Sequence, residues 1–195
     1  DISIHSSFDV SAPFTGIIPF PYTPVGSVQK TVHILLDGEE IETVKTSASG
    51  RQLTFTLAAQ AHGGHTLEAY FTSDFDGGTV ESNHLYYEFI ALETGNTDPI
   101  IVSNFHQPTV PQYTSVSVPY RVYDPVNLTT PITLKINGKE VNHLTVDRTE
   151  QQWTYRAETI GSVALEICCE TASRTIGLEV TPSDVTIGAE SDSMV

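Results

Sequence analysis

Ile34-Leu35-Leu36-Asp37-Gly38-Glu39-Glu40-Ile41 returns one hundred residues later as Leu134-Lys135-Ile136-Asn137-Gly138-Lys139-Glu140-Val141, and this repeat constrains the fold more than any other feature. Asp-Gly or Asn-Gly between β-prone apolar runs is the strongest local hairpin signal, because both central residues of a type I′ turn need positive φ. The same offset relates Ile18-Pro19-Phe20 to Val118-Pro119-Tyr120, and Leu53-Thr54-Phe55 to Trp153-Thr154-Tyr155. It then slips by two, so that Gly63 and Leu67-Glu68 answer Gly161 and Leu165-Glu166. A pattern shared over most of both halves of a 195-residue chain implies two copies of one domain.

Helical periodicity is scarce, whereas alternating runs bounded by Gly, Pro, Asn and Asp recur throughout, which is an all-β signature. Seven short strands per copy suit a pair of β-sandwiches. Alternation puts Val32, Ile34 and Leu36 inward with His33 on the opposite face, and does the same for Ile132, Leu134 and Ile136 with Thr133. Leu53, Phe55 and Leu57 answer Trp153, Tyr155 and Ala157, while Leu67, Ala69 and Phe71 answer Leu165, Ile167 and Cys169. Leu85, Tyr87 and Phe89 take the role of Ile176, Leu178 and Val180. These sets are expected to form two separate cores. Ile41 and Val44, like Val141 and Leu144, are three apart, so a β-bulge is expected in each fourth strand to restore the inward face.

The expected units are residues 1–94, residues 95–182, and a tail at 183–195 that is flexible or opens a further module. The connector Glu93-Thr94-Gly95-Asn96-Thr97-Asp98-Pro99 carries no large apolar residue, so a small contact and an adjustable angle between the copies are expected. The sequence starts inside what reads as a strand, which suggests a piece of a longer polypeptide.

With 24 acidic against 9 basic residues, the formal charge of −15 opposes any polyanionic partner and excludes nucleic acid. No apolar run approaches the roughly 20 residues of a membrane span, so membrane insertion is not expected. Cys168 and Cys169 are adjacent and would point to opposite faces of a strand, Cys169 inward like Phe71 and Cys168 outward like Tyr70. No disulfide framework follows, which argues against an animal immunoglobulin domain and for a bacterial or viral module.

Motifs for chemistry are sparse. His62-Gly63-Gly64-His65 has a metal-like look, but the matching Ile160-Gly161-Ser162-Val163 has no histidine and zinc needs three or four converging ligands, so a turn entering a strand is the reading. Asp74-Phe75-Asp76-Gly77-Gly78 resembles the opening of a calcium loop, yet lacks the distal bidentate Glu, and is read as an acidic hairpin loop. There is no glycine-flanked nucleophile, and Glu39-Glu40 lies at a turn with nothing to desolvate either carboxylate. No catalytic, metal or cofactor residue is therefore assigned, and an enzyme is not expected. Phe14, Tyr86, Tyr113 and Tyr123 fall in loops or on outward faces, where they could stack on a sugar or pack at an edge.

Gly64-His65-Thr66-Leu67-Glu68-Ala69-Tyr70, the turn Asp76-Gly77-Gly78 and the Asp37-Gly38 and Asn137-Gly138 hairpins resemble bacterial and phage immunoglobulin-like, fibronectin-III-like modules. The second copy departs from the pattern, with Val163-Ala164 where His65-Thr66 stands. The resemblance implies two tandem immunoglobulin-like seven-stranded β-sandwiches acting as a structural spacer or adhesive unit of a larger surface or tail-associated protein. It implies a place outside the cell, on its surface or on a virion. Other domains of the parent protein are the implied partners, with a cell-surface glycan or protein as a further candidate. The competing reading is a carbohydrate-binding accessory domain of a secreted polysaccharide-degrading enzyme.

Overall fold

A computed structural model describes residues 6–9, 14–19, 30–46, 52–75 and 77–183, and contains no helix among them. In the first half the strands are β1 (Ser6–Asp9), β2 (Phe14–Pro19), β3 (Lys30–Leu36), β4 (Glu39–Thr46), β5 (Gln52–Leu57), β6 (Gly63–Phe75), β7 (Gly78–Glu81) and β8 (Leu85–Leu92). In the second they are β9 (Ile100–Val102), β10 (Thr109–Pro111), β11 (Ser115–Tyr123), β12 (Thr129–Ile136), β13 (Lys139–Asp147), β14 (Gln151–Arg156), β15 (Gly161–Cys168) and β16 (Ser173–Thr181). Among the described residues each half has eight strands, one short segment more than the seven expected, although residues 2–5 of the first strand expected in the first half lie outside them. In the first it is β7, which extends a hairpin with the end of β6. In the second it arises because the first strand divides, β9 joining one sheet and β10 the other.

Sheet order repeats as faithfully as the sequence. The larger sheets run β1-β8-β6-β3-β4 and β10-β16-β15-β12-β13, and the smaller ones pair β2 with β5 and order β14-β11-β9. β1 runs parallel to β8 and β10 parallel to β16, the last strand of each half, and the remaining pairs are antiparallel. Both halves thus have the layout of an immunoglobulin-like sandwich.

The hairpin turns form as their sequence requires. Asp37 and Asn137 take φ of 51° and 50°, followed by Gly38 and Gly138 at 85° and 76°. Each turn residue also braces the neighbouring strand: Asp37 Oδ1 accepts the Thr66 N–H and Asn137 Oδ1 accepts the Ala164 N–H, both at 2.8 Å. The expected bulges are there, since Ile34 faces Glu42 while Leu35 faces Glu40, and Leu134 faces Asn142 while Lys135 faces Glu140. They do not turn the skipped residue inward: Ile41 and Val141 are 44% and 48% exposed. The unpaired residue of a bulge follows the bend of the strand, and at a sheet edge that bend faces water.

Two cores form. In the second half Ile132, Leu134, Trp153, Tyr155, Ala157, Leu165, Ile167, Ile176, Leu178 and Val180 are all buried together. In the first, Val32, Ile34, Leu57, Leu67, Ala69 and Phe89 are buried, with Leu36, Phe71, Leu85 and Tyr87 packed against them. The side chains of Leu53 and Phe55 lie outside the described residues. Cys169 departs from the expected full burial. Strand β15 ends at Cys168, the Cys169 N–H turns to the Ala172 carbonyl, and both thiols are half-buried.

The joint between the copies also differs from expectation. Ile90, Ile100 and Val102 form a third buried cluster, flanked by Leu92 and Tyr123. The connector itself is polar, but the strands on either side of it are not, and their apolar ends meet.

Candidate functional site

On the outer face of the larger first sheet, five aromatic rings stack in one continuous series. His33 lies on Tyr70 with centroids 4.7 Å apart, Tyr70 on His84 at 4.2 Å, His84 on Tyr86 at 6.2 Å, and Tyr86 on His106 at 4.1 Å. Strand pairing explains the series. His33 on β3 is the register partner of Tyr70 on β6, and His84 falls one position beyond the Ala69–Leu85 pair. Neighbouring strands stand about 4.8 Å apart, close to a stacking distance for planar side chains on one face. Tyr86 follows two residues after His84 on the same face, and His106, from the second half, closes the series.

Each histidine meets a carboxylate. His33 Nδ1 is 2.6 Å from Glu40 Oε2, with Nε2 on the Thr72 hydroxyl at 3.0 Å. His84 Nδ1 bonds Glu68, and its Nε2 bonds Glu81 at 2.9 Å. His106 Nε2 comes within 3.1 Å of Glu88 Oε1 without the angle of a hydrogen bond. The hydrogen bond from His33, then that from Thr43, holds the Glu40 carboxyl below its ordinary range. Burial alone pulls the His84 imidazole down, but its bonds to Glu68 and Glu81 outweigh this and leave its pKa above the ordinary histidine value. Burial, then the charges of Glu81, Glu40 and Glu68, pushes the Tyr70 phenol up, and burial followed by Glu68 does the same to Tyr86.

The lower end of this face is the joint. Glu88 is fully buried, and its Oε1 accepts the Thr66 hydroxyl at 2.8 Å from its own sandwich and faces Arg174 Nη2 at 3.5 Å from the other. Glu88 Oε2 and Arg174 Nε have no hydrogen-bond partner among the described residues. Beside them Gly64 lets the backbones approach: a Cβ there would stand 2.6 Å from Val102 Cγ1. At the connector, His62 Nδ1 accepts the Glu93 N–H at 3.2 Å and its Nε2 donates to the Asp98 carbonyl at 3.0 Å.

The second copy has no such stack and keeps only a histidine–carboxylate contact at its edge, His143 Nε2 lying 3.2 Å from Glu140 with Nδ1 3.0 Å from the Thr133 hydroxyl. Strand register puts Thr133, Cys168, Ser173 and Thr175 where the first copy has His33, Tyr70, His84 and Tyr86. Ser162, Gly177 and Glu179 stand where it has Gly64, Glu88 and Ile90, and the Ser162 hydroxyl bonds Glu179 at 2.7 Å.

Of the aromatic residues singled out from sequence, Tyr86 is in the stack, with one ring face against His106 and the other toward His84. Tyr123 flanks the joint cluster, with Arg148 and Arg121 over its ring at 4.8 and 5.5 Å. Tyr113 is 58% exposed at a turn with φ of 66°. Phe14 lies in β2, and its side chain is outside the described residues. The four are not brought together as one platform. His65 bonds Asp37 at 2.7 Å and the Ala61 carbonyl at 3.0 Å, and Asp74 accepts the Thr79 hydroxyl at 2.7 Å, while Asp76 lies outside the described residues. Sequence reasoning missed His84, His106, Glu88 and Arg174. The available signal was the alternation that puts His33, Tyr70 and Tyr86 on one face.

No family model matches the chain, and no curated protein matches it. Among solved structures it is similar to fibronectin(III)-like modules of Clostridium thermocellum CbhA, at 12% identity and a TM-score of 0.37, over 94% of this chain and 93% of that one. A chimeric titin Z1Z2 tandem gives 12% and 0.34, over 94% and 97% of the two chains. A 1.5-MDa bacterial ice-binding adhesin gives 10% and 0.31, over 94% and 64%.

Proposed function

We propose that the chain is a non-catalytic tandem module, units 1–94 and 95–182, serving as a spacer or adhesive unit of a larger protein on a bacterial surface or a phage tail. Its partners in this reading are the neighbouring domains of that protein and a surface glycan or protein. The observation that carries it is the joint: Glu88 is fully buried where the two sandwiches meet, between Thr66 of one and Arg174 and His106 of the other. A buried carboxylate held from both sides, next to an apolar cluster, fixes how one domain continues from the next, and a spacer transmits position through such a joint. Stacking covers Tyr86 and guanidinium groups cover Tyr123, so neither offers the bare ring face that a sugar platform needs.

Small-angle scattering on the two-domain chain should give an extended two-lobed particle of one preferred geometry, and a glycan panel should show no binding tighter than millimolar. A compact profile would remove the spacer reading, and micromolar binding lost with Tyr113→Ala would favour a carbohydrate-binding accessory domain.

A further inference from the structure

We propose that the histidine–tyrosine stack and the Glu88 contact form an acid-tightened clasp, so that mild acidification locks the second sandwich onto the first. This rests on the spacer reading, because it concerns how that joint is regulated. Four observations carry it. His106 is the only ring of the stack supplied by the second half, and it lies flat on Tyr86 of the first. Its Nε2 is already 3.1 Å from a carboxylate with no solvent exposure. The contact is not aligned as a hydrogen bond, so what a charge on the ring adds there is Coulomb attraction across 3.1 Å. Above it, His84 sits between Glu68 and Glu81 as two acceptors, an arrangement satisfied in full only by the imidazolium, and it stacks on Tyr86 from the other side.

The charges facing the clasp decide its sign. Glu88 on β8 attracts the His106 proton across 3.1 Å, while Arg174 on β16 repels it with a guanidinium that is one-third exposed and so screened by water. From β6 and β7, Glu68 and Glu81 add negative charge beside the next histidine. His62, the other histidine at the joint, accepts the Glu93 N–H within the first unit, so that bond does not span the two sandwiches. Histidine is the side chain that changes charge between pH 8 and 5.5, which sets the working range.

The test is NMR relaxation on the two-domain chain at pH 8.0 and 5.5, comparing the tumbling of the two sandwiches. The joint should be mostly closed at both pH values, with its minor open population falling about tenfold from pH 8.0 to pH 5.5 as the interdomain charge contact strengthens. His106→Gln, which keeps polarity and cannot take the charge, should abolish the pH response while each sandwich keeps its own spectrum. His62→Gln should leave the response intact, and His143→Gln, in the second sheet, should leave it unchanged. Identical interdomain order at both pH values, or a full response in His106→Gln, overturns the clasp and leaves the spacer standing. If His106→Gln loosens the joint equally at both pH values, its role is structural and the clasp is overturned. Independent tumbling of the native chain at both pH values removes the spacer reading as well.

Discussion

His106 lies parallel to Tyr86, with 10° between the ring planes and 4.1 Å between centroids, although one residue belongs to the second sandwich and the other to the first. An aromatic pair in this geometry contributes about 0.5 to 1.5 kcal/mol beyond the area it buries. It does so where the chain would otherwise be free to hinge at its connector.

Gly64→Ala should disturb that joint directly. The new Cβ would meet Val102 Cγ1 at 2.6 Å, and valine is too stiff at χ1 to swing aside. Overpacking of this kind costs about 1 to 3 kcal/mol. A double-mutant cycle with Val102→Ala, read by denaturant unfolding, should recover most of the loss, and additive effects would show that the two residues do not meet.

Trp153 is buried in the second core opposite Val118, so Trp153→Ala should destabilise that sandwich by about 3 to 5 kcal/mol. A shift below about 1 kcal/mol in urea unfolding would mean that the indole is not packed as described.

Asn137→Ala should cost about 1 to 3 kcal/mol, combining a left-handed φ with loss of the bond to the Ala164 N–H. Asn137→Asp should be near neutral, because Asp37 fills the same place in the first copy. Asn137→Gly should recover the turn and not the brace. Thermal unfolding of the three variants ranks them, and Gly equal to Asn would remove the brace from the account.

Folding stability should peak in mildly acidic solution. The folded carboxyls of Glu40, Asp124 and Asp147 lie below their ordinary values: Glu40 through His33, Asp124 because bonds from Asn127 and Val126 overcome burial, and Asp147 through Thr149. Their contribution is present above the ordinary carboxylate range and is lost as the pH falls through the depressed values. His84 has the opposite sign, since its raised pKa means a contribution complete below the ordinary 6.5 and lost as the pH rises through the folded value. Melting temperature against pH should therefore fall on both sides. His84→Gln should flatten the alkaline side alone, and an unchanged alkaline slope would contradict the Glu68 and Glu81 contacts.

The fold was legible because turn chemistry and alternation are local. Asp37-Gly38 and Asn137-Gly138 announce their hairpins, and the period of two picks out Leu165 and Ile167 as core without knowledge of their partners. The stack was not legible for the complementary reason. His33, Tyr70, His84, Tyr86 and His106 are drawn from separate strands and loops, and only pairing register brings them into line. Comparison of the two copies concealed it further, since the second has Thr133, Cys168, Ser173 and Thr175 at the matching positions. The joint was misjudged because the connector was weighed alone, while the residues that meet are Ile90, Ile100 and Val102 beyond its ends.

Ser162, Gly177 and Glu179 occupy in the second sandwich the places that seat a neighbour on the first; they are polar or small, and the Ser162 hydroxyl bonds Glu179. The two repeats are therefore not interchangeable beads. The seat faces one way along the chain, so the pair carries an arrow. A duplicate of the second sandwich spliced behind itself would find no socket, whereas the same unit spliced behind a duplicate of the first would dock.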